Sequence, residues 1–192
     1  MADLFRVRLR HLFLCGLLSA GPSPPAHGDS WKDVAVPEAG GTLVYDSRTD
    51  DPRDVTRKFL NAGDDTLRVA MYKFTDRRMA GWIKDLLKDG VVIEMILDAG
   101  AAAEEQDRPW APLVSRGLRL RFWPAGVSEL HAKFVLSDHA VLTGSANWTP
   151  GGMRNNVEVM LWNRTPSVVA SFKDLFGALW EGSHPIATDQ GP

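Results

Sequence analysis

One histidine and one lysine in this sequence are spaced for chemistry on a phosphate. His131 and Lys133 lie two residues apart at the start of the run His-Ala-Lys-Phe-Val-Leu, whose apolar half is typical of a β-strand. Side chains two residues apart leave the same face of a strand, so this pair is expected to point to one side. A neutral imidazole is a competent nucleophile near pH 7, and an adjacent ammonium group attracts a phosphate.

A second polar segment, Gly144-Ser145-Ala146-Asn147, follows the next predicted strand. Glycine lets the backbone come close to a ligand, and the Ser145 hydroxyl and the Asn147 amide donate hydrogen bonds without adding charge. Such donors suit a transition state in which the oxygens on phosphorus gain negative charge. The spacing His-x-Lys-x4-Asp, which ends at Asp138, together with Gly-Ser-x-Asn is expected by chance on the order of one time in a million.

The elements that must position these residues alternate between strand-like and helix-like runs. Strands are predicted over residues 66–72, 91–97, 118–122, 133–136, 140–143 and 156–162, with a hairpin turn at 137–139. Helices are predicted to begin at Asp51-Pro52, Thr75-Asp76 and Thr165-Pro166, and residues 100–116 to form loop and helix. The last helix is expected to turn six apolar side chains inward: Val168, Val169, Phe172, Leu175, Phe176 and Leu179. This alternation predicts an α/β domain with helices on both faces of a mixed sheet.

Composition excludes several classes of protein. The 192 residues are 44% hydrophobic and 24% charged, which is the usual mixture for a folded domain and too apolar for a disordered chain. No apolar run reaches 18 residues, so no permanent membrane span is expected in the mature chain. The single cysteine, Cys15, excludes an intramolecular disulfide and a cysteine-based zinc site.

The first 28 residues are typical of a secretory signal peptide. Three arginines precede a nine-residue apolar stretch over residues 12–20, and small residues near Gly28 suit cleavage there. A membrane anchor is the weaker alternative, because nine residues cover about half of a bilayer core. We therefore expect an exported protein, periplasmic or secreted, with a single domain over residues 29–192.

Removal of this leader would leave 19 basic and 23 acidic side chains, a net charge of −4. A negative total argues against indiscriminate binding of polyanions over the whole surface. Contacts with phosphates are therefore expected to be local.

The polar segments resemble the His-Lys-Asp motif of the phospholipase D superfamily, in the form that carries the motif once. His131, Lys133 and Asp138 match the motif, and Gly144-Ser145-Ala146-Asn147 and Asn156-Val157-Glu158 resemble its later elements. The resemblance covers roughly residues 42–182. One departure is that five residues separate Asp138 from Gly144, where the family usually has six.

The resemblance implies a metal-independent phosphodiesterase that needs no cofactor and works through a covalent phosphohistidine. His131 would be the nucleophile, and Lys133, Ser145 and Asn147 would hold the phosphate. Glu158 would hydrogen-bond the far nitrogen of His131 and fix its tautomer. Asp138 would support the site from its edge.

The resemblance also implies a homodimer with a composite active site. In-line displacement at phosphorus needs a nucleophile on one side and an acid on the other, and this chain carries the motif once. A two-fold axis would bring two copies of His131 to one phosphate. Short members of the family, of the bacterial nuclease and mitochondrial cardiolipin hydrolase types, are built in this way.

Three functions remain open at this stage. An exported endonuclease cutting DNA or RNA is favoured by six basic residues near the motif: Lys73, Arg77, Arg78, Arg119, Arg121 and Arg154. A phospholipase acting on cardiolipin or similar lipids is the alternative, favoured by Trp123, Trp148 and Trp162. An inactive binding or structural protein on the same fold is disfavoured, because the predicted catalytic side chains are all present.

The first prediction is that activity does not depend on a metal ion. The motif supplies its positive charge through Lys133, and the segments that form it contain no carboxylate cluster suited to magnesium. Phosphodiester hydrolysis, measured with and without excess EDTA, should be unchanged. Complete loss of turnover that added magnesium restores would contradict the mechanism.

Overall fold

The computed structural model describes residues 30–126 and 128–185. The predicted signal peptide over residues 1–28 lies outside the described residues. The strands are β1 (Thr42–Asp46), β2 (Thr66–Met71), β3 (Val92–Asp98), β4 (Arg119–Trp123), β5 (Lys133–Leu136), β6 (Val141–Gly144), β7 (Val159–Asn163) and β8 (His184–Pro185). The α-helices are α1 (Pro52–Leu60), α2 (Arg77–Lys88), α3 (Ala99–Glu104), α4 (Ala111–Val114) and α5 (Pro166–Glu181). A 3-10 helix spans Ser30–Asp33, and a π-helix spans Gly151–Asn155.

All eight strands form one mixed sheet in the order β1-β7-β6-β5-β2-β3-β4-β8. Strands β2, β3 and β4 are parallel, and every other neighbouring pair is antiparallel. One buried cluster includes Phe59 from α1 and Ile83 from α2, and a second, which includes Phe176 from α5, lies against Phe134. Since consecutive residues of a strand face opposite sides, Phe134 and Val135 belong to different clusters. The predicted mixed sheet with helices on both faces is confirmed.

Helix starts follow the predicted capping signals. The Asp51 side chain accepts a hydrogen bond from the backbone N–H of Arg53, and Pro52 occupies the first helical position of α1. The Asp76 side chain accepts from the N–H groups of Arg78 and Met79 at the start of α2. These caps satisfy N–H groups that have no partner within the helix.

The last helix departs from its predicted burial pattern at one position. Val169 and Phe176 are buried and Phe172 is half-buried, whereas Leu175 is exposed. The buried residues follow an i, i+3, i+7 row, and Leu175 falls at the edge of that row. The prediction that Leu175 turns inward was therefore wrong, because α5 covers the sheet with a narrow stripe.

The sheet topology brings the ends of six strands to one side of the sheet. The carboxyl ends of the parallel strands β2, β3 and β4 lie there, as do the start of β5, the end of β6 and the start of β7. The pairing of Met71 with Lys133 and of Gly144 with Met160 fixes this register. Polar segments that are far apart in sequence therefore meet along this edge, which we call the site edge.

Candidate active site

His131 and Lys133 lie side by side at the site edge. His131 is exposed and lies two residues before the start of β5, whereas Lys133 is the first residue of β5 and is buried. The Lys133 ammonium donates a hydrogen bond to the backbone carbonyl of His131, with an Nζ···O distance of 2.7 Å. The side chain of Lys133 is thereby directed along the chain toward the histidine.

Burial shifts the pKa of the Lys133 ammonium group. Loss of hydration lowers the pKa of its ammonium group below the usual lysine value, and the negative charges of Glu158 and Glu129 oppose this effect. Among the described residues, no carboxylate forms a hydrogen bond or an ion pair with the ammonium. A phosphate at this position would supply the missing anionic partner.

Gly144 is required where β6 approaches β7. A Cβ atom at this position would lie 2.1 Å from the carbonyl oxygen of Val159, much closer than side-chain carbons approach other atoms. The close approach places Ser145 beside the start of β7, where its hydroxyl accepts from the N–H of Val159 at 3.1 Å. The Ser145 hydroxyl also donates to the Glu158 carboxylate. In this arrangement Ser145 links Glu158 to the end of β6.

Asn147 is oriented by the loop that follows β2. Its side-chain oxygen accepts a hydrogen bond from the backbone N–H of Lys73 at 3.3 Å, which leaves the amide NH2 group as the donor for a ligand. The backbone of Asn147 packs against Gly152 in the π-helix. A Cβ atom on Gly152 would lie 2.4 Å from the Asn147 carbonyl oxygen, so this packing requires glycine.

Glu158 is buried and held by three neighbouring residues. Its carboxylate accepts from Ser145 and, at 3.1 Å, from the side-chain amide of Asn156. Its backbone N–H donates to the Ser47 hydroxyl at 2.7 Å, and that hydroxyl donates to the Asn156 carbonyl at 3.1 Å. Ser47, which follows β1, was missed by the sequence analysis. The hydrogen bond predicted between Glu158 and His131 is not among these contacts and stays a prediction.

Tyr72 is a second residue at the site that the sequence analysis did not assign a role. Its ring lies against the imidazole of His131, with ring centroids 4.8 Å apart and planes inclined at 59°. The Nζ atoms of Lys133 and Lys73 are 5.4 and 5.3 Å from the centroid of the same ring. Its position directly after a buried strand was the available signal.

Asp138 is not brought into this group. It follows β5 at the opposite end from His131, in the turn to β6, and its carboxylate pairs with Arg68 at 3.5 Å and Lys173 at 3.3 Å. Partial burial acts to raise the pKa of Asp138, but Lys173 and Arg68 outweigh this effect and lower it. Asp138 therefore ties β2 and α5 to the hairpin turn, and its expected place at the edge of the site is corrected.

The predicted basic residues divide between the two ends of the sheet. Lys73, Arg78 and Arg154 belong to segments at the site edge, namely the loop after β2, the first turn of α2 and the π-helix. Arg77 begins α2 there as well, but it is paired with Asp107 at 2.7 Å. Arg119 begins β4 at the opposite end and pairs with Glu94 at 3.3 Å. Arg121 donates to the carbonyl of Trp180 at 2.6 Å. The two β4 arginines are therefore not part of the site edge.

The described residues show neither a metal-binding cluster nor a membrane-spanning helix. Within residues 30–126 and 128–185, no three His, Cys, Asp or Glu side chains are grouped in a way that would hold a metal ion. None of the helices in these ranges has the length and apolar character needed to cross a membrane.

This fold and site define the class of protein. The family model described as cardiolipin synthase, phospholipase D-like domain matches residues 56–180, which is more than half of the chain. The protein belongs to the phospholipase D superfamily, a class of phosphodiesterases, and the predicted family is confirmed.

The curated proteins that resemble this chain in sequence include mitochondrial cardiolipin hydrolases. Mitochondrial cardiolipin hydrolase from Danio rerio is 29% identical over 121 residues, covering 62% of this chain and 53% of the relative. The human protein of the same name is 27% identical over 127 residues, covering 66% and 50%. The chain thus spans about half the length of the curated relatives it matches.

Among solved structures, Nuc from Salmonella typhimurium, a phospholipase D family member, superposes with a TM-score of 0.69 at 19% identity, covering 76% of this chain and 97% of that one. NucT from Helicobacter pylori gives a TM-score of 0.68 at 18% identity, covering 76% and 98%. These likenesses support the fold.

The second prediction concerns the buried charge of Lys133. Replacement of Lys133 by Met keeps a long unbranched side chain and removes an ammonium whose burial is unfavourable. Lys133→Met should lower turnover by roughly 10²–10³-fold while leaving the melting temperature unchanged or raising it by about 2–4 °C. Calorimetry and a phosphodiesterase assay measure the two effects, with the exposed Lys84→Met on α2 as the matched control. A strongly lowered melting temperature would show that the ammonium stabilises the fold.

Proposed function

We propose that this protein is a metal-independent phosphodiesterase that acts through a phosphohistidine, with nucleic acid as its substrate. The observation that carries the proposal is the meeting of His131, Lys133 and Asn147 at the site edge, where one nucleophile and two donors face the same region. Membership of the phospholipase D superfamily supports the same reaction class.

In the proposed first step, an imidazole nitrogen of His131 attacks phosphorus. An N–P bond forms with the nitrogen lone pair, and the P–O bond to the leaving alcohol breaks as that oxygen takes a proton from an acid on the far side. Lys133 and the Asn147 amide hold the phosphate oxygens that gain charge. In the second step water attacks phosphorus, its proton passes to the same group, and the N–P bond breaks to restore His131.

Glu158 and Ser145 are proposed to support this step together. The Ser145–Glu158 hydrogen bond and the contacts from Ser47 and Asn156 fix the carboxylate beside the strand ends. We expect Glu158 to bind the far nitrogen of His131 when the histidine turns toward a phosphate, and thereby to stabilise the imidazolium that forms. Asp138 has no catalytic role in this proposal.

Nucleic acid is favoured over phospholipid by the cations at the site edge and by the burial of two of the three tryptophans near the motif, Trp123 being half-buried. Lys73, Arg78 and Arg154 supply cations at the site edge, where a phosphate backbone would run. Trp148 and Trp162 are each 2% exposed, so these side chains cannot anchor a lipid surface. Phospholipid is the second candidate, because the curated relatives are named as cardiolipin hydrolases.

The third prediction tests this choice of substrate. Purified protein should cleave plasmid, single-stranded DNA or RNA, and should release little product from cardiolipin vesicles. Arg154→Gln should weaken binding of nucleic acid and reduce the slope of log affinity against log salt concentration by about one, because one phosphate contact is lost.

Arg119→Gln is the matched control, since Arg119 lies at the opposite end of the sheet. Efficient cleavage of cardiolipin with no cleavage of nucleic acid would reject the nuclease and leave the lipase. Equal effects of the two arginine substitutions would reject the basic edge as the binding surface.

The active species is proposed to be a homodimer with one composite site. One chain supplies a single His131, and the acid opposite the nucleophile would be His131 of a second copy. Val157 and Val159 flank Glu158 at the site edge and are 73% and 51% exposed, which gives this edge an apolar patch that a second copy would cover.

The fourth prediction follows from this composite site. In a mixture of wild-type and His131→Ala chains that exchange freely, only wild-type pairs hold two histidines, so activity should fall as the square of the wild-type fraction. Equal mixing should leave about a quarter of full activity, as binomial pairing of a two-fold dimer requires. Half of full activity at equal mixing, or a fully active monomer in light scattering, would contradict the shared site.

Export to the periplasm or the medium is also proposed, supported by the basic and apolar segments of residues 1–28.

A further inference from the structure

Tyr72 occupies a central position among the charged groups of the site. It is half-buried and follows β2 directly, at the strand end that pairs with the start of β5. Its ring contacts the imidazole of His131 at a centroid distance of 4.8 Å, and the ammonium groups of Lys133 and Lys73 lie 5.4 and 5.3 Å from the ring centroid. Both ammonium distances are within the roughly 6 Å reach of cation–π attraction.

We propose that Tyr72 is a positioning residue, whose ring fixes the orientation of His131 and the position of the Lys133 ammonium and offsets the positive charge that develops on the imidazole during phosphoryl transfer. This inference rests on the proposed function. The imidazole is neutral before attack and carries a positive charge once its nitrogen is bonded to phosphorus. The negative face of an aromatic ring attracts cations, so the contact strengthens as the reaction proceeds and lowers the barrier.

The ring has this role and the hydroxyl does not. The hydroxyl is hydrogen-bonded to Glu129, and Tyr72 lines a cavity of about 320 Å³ together with Asp98, Glu104 and Glu129. Burial first, and then the negative charges of these three carboxylates, raise the pKa of Tyr72. The hydroxyl is thus kept protonated and uncharged beside these carboxylates, and phenylalanine, which keeps the ring, should replace tyrosine with little loss.

The experiment compares full-length variants at position 72 by steady-state kinetics on a nucleic acid substrate. Tyr72→Leu should lower kcat by about 5- to 30-fold, the range that corresponds to one cation–π contact, with KM changed less than threefold. Tyr72→Phe should recover most of kcat. Phe172→Leu is the matched control. Phe172 lies on α5 and packs against Phe134 of β5, away from the site.

A spectroscopic measurement separates positioning from general loss of packing. The NMR signal of the His131 ring proton should show a ring-current shift in wild type and in Tyr72→Phe, and this shift should disappear in Tyr72→Leu. Should the leucine variant fail to fold, 3,4,5-trifluorophenylalanine at position 72 keeps the ring shape but weakens its negative face. That variant should retain the contact and still lose kcat.

Several outcomes would overturn the inference. They are an unchanged kcat in the leucine or trifluorophenylalanine variant, an equal loss in Tyr72→Phe, and an NMR signal of His131 that does not depend on the ring. Failure of the proposed function would look different, since wild type would then lack turnover on every phosphodiester while the ring-current shift remained.

Discussion

The burial of a lysine ammonium at the first residue of a central strand is the constraint on which the rest of the site depends. Lys133 begins β5, and its side chain is surrounded by the sheet and the loop after β2. Burial makes its positive charge unfavourable, which lowers its pKa. The charge is retained through the His131 carbonyl, the face of Tyr72 and the fields of Glu158 and Glu129. These contacts compensate in part, and an anionic phosphate would complete them.

The site edge holds together because backbone groups from distant segments bond to each other. The Trp148 carbonyl accepts from the N–H groups of both Thr75 and Asp76 at 2.9 Å, so the loop that carries Asn147 is fixed to the loop after β2. Asp76 is in turn paired with Arg53 of α1 and is 1% exposed. On the other side, Gly144 allows β6 to approach Val159 closely enough for Ser145 to reach Glu158. The donors are therefore positioned by the fold before any substrate binds, which is the condition for electrostatic catalysis.

The parts of the fold that local sequence patterns determine, such as helix starts, could be predicted. The parts of the site whose residues are close in sequence could be predicted as well. Caps at Asp51 and Asp76 marked helix starts, and the two-residue spacing of His131 and Lys133 marked their shared strand end. Ser47 was missed because a serine 111 residues from Glu158 carries no local signal. Asp138 was misplaced because its role was taken from the resemblance and not from the direction of the strand: the predicted strand over residues 133–136 already carries it to the end opposite His131. Arg119 and Arg121 were misjudged for the same reason, since strand direction decides which end they occupy.

Cations and carboxylates both lie close to the site, although the chain as a whole has a formal charge of only −2. Lys73, Arg78 and Arg154 lie in segments at the site edge, and Glu104 and Glu129 line the cavity beside Tyr72. Exposed charges act over about 8–10 Å at moderate ionic strength, so the field at the site is set by these neighbours and not by the total. Tyr72 contacts both sets of charges: its ring lies near the ammonium groups of Lys73 and Lys133, and its hydroxyl lies near the carboxylates. The charges that neighbour the phosphate-binding side chains, and not the net charge of the chain, would therefore decide how the proposed nucleic acid substrate approaches His131.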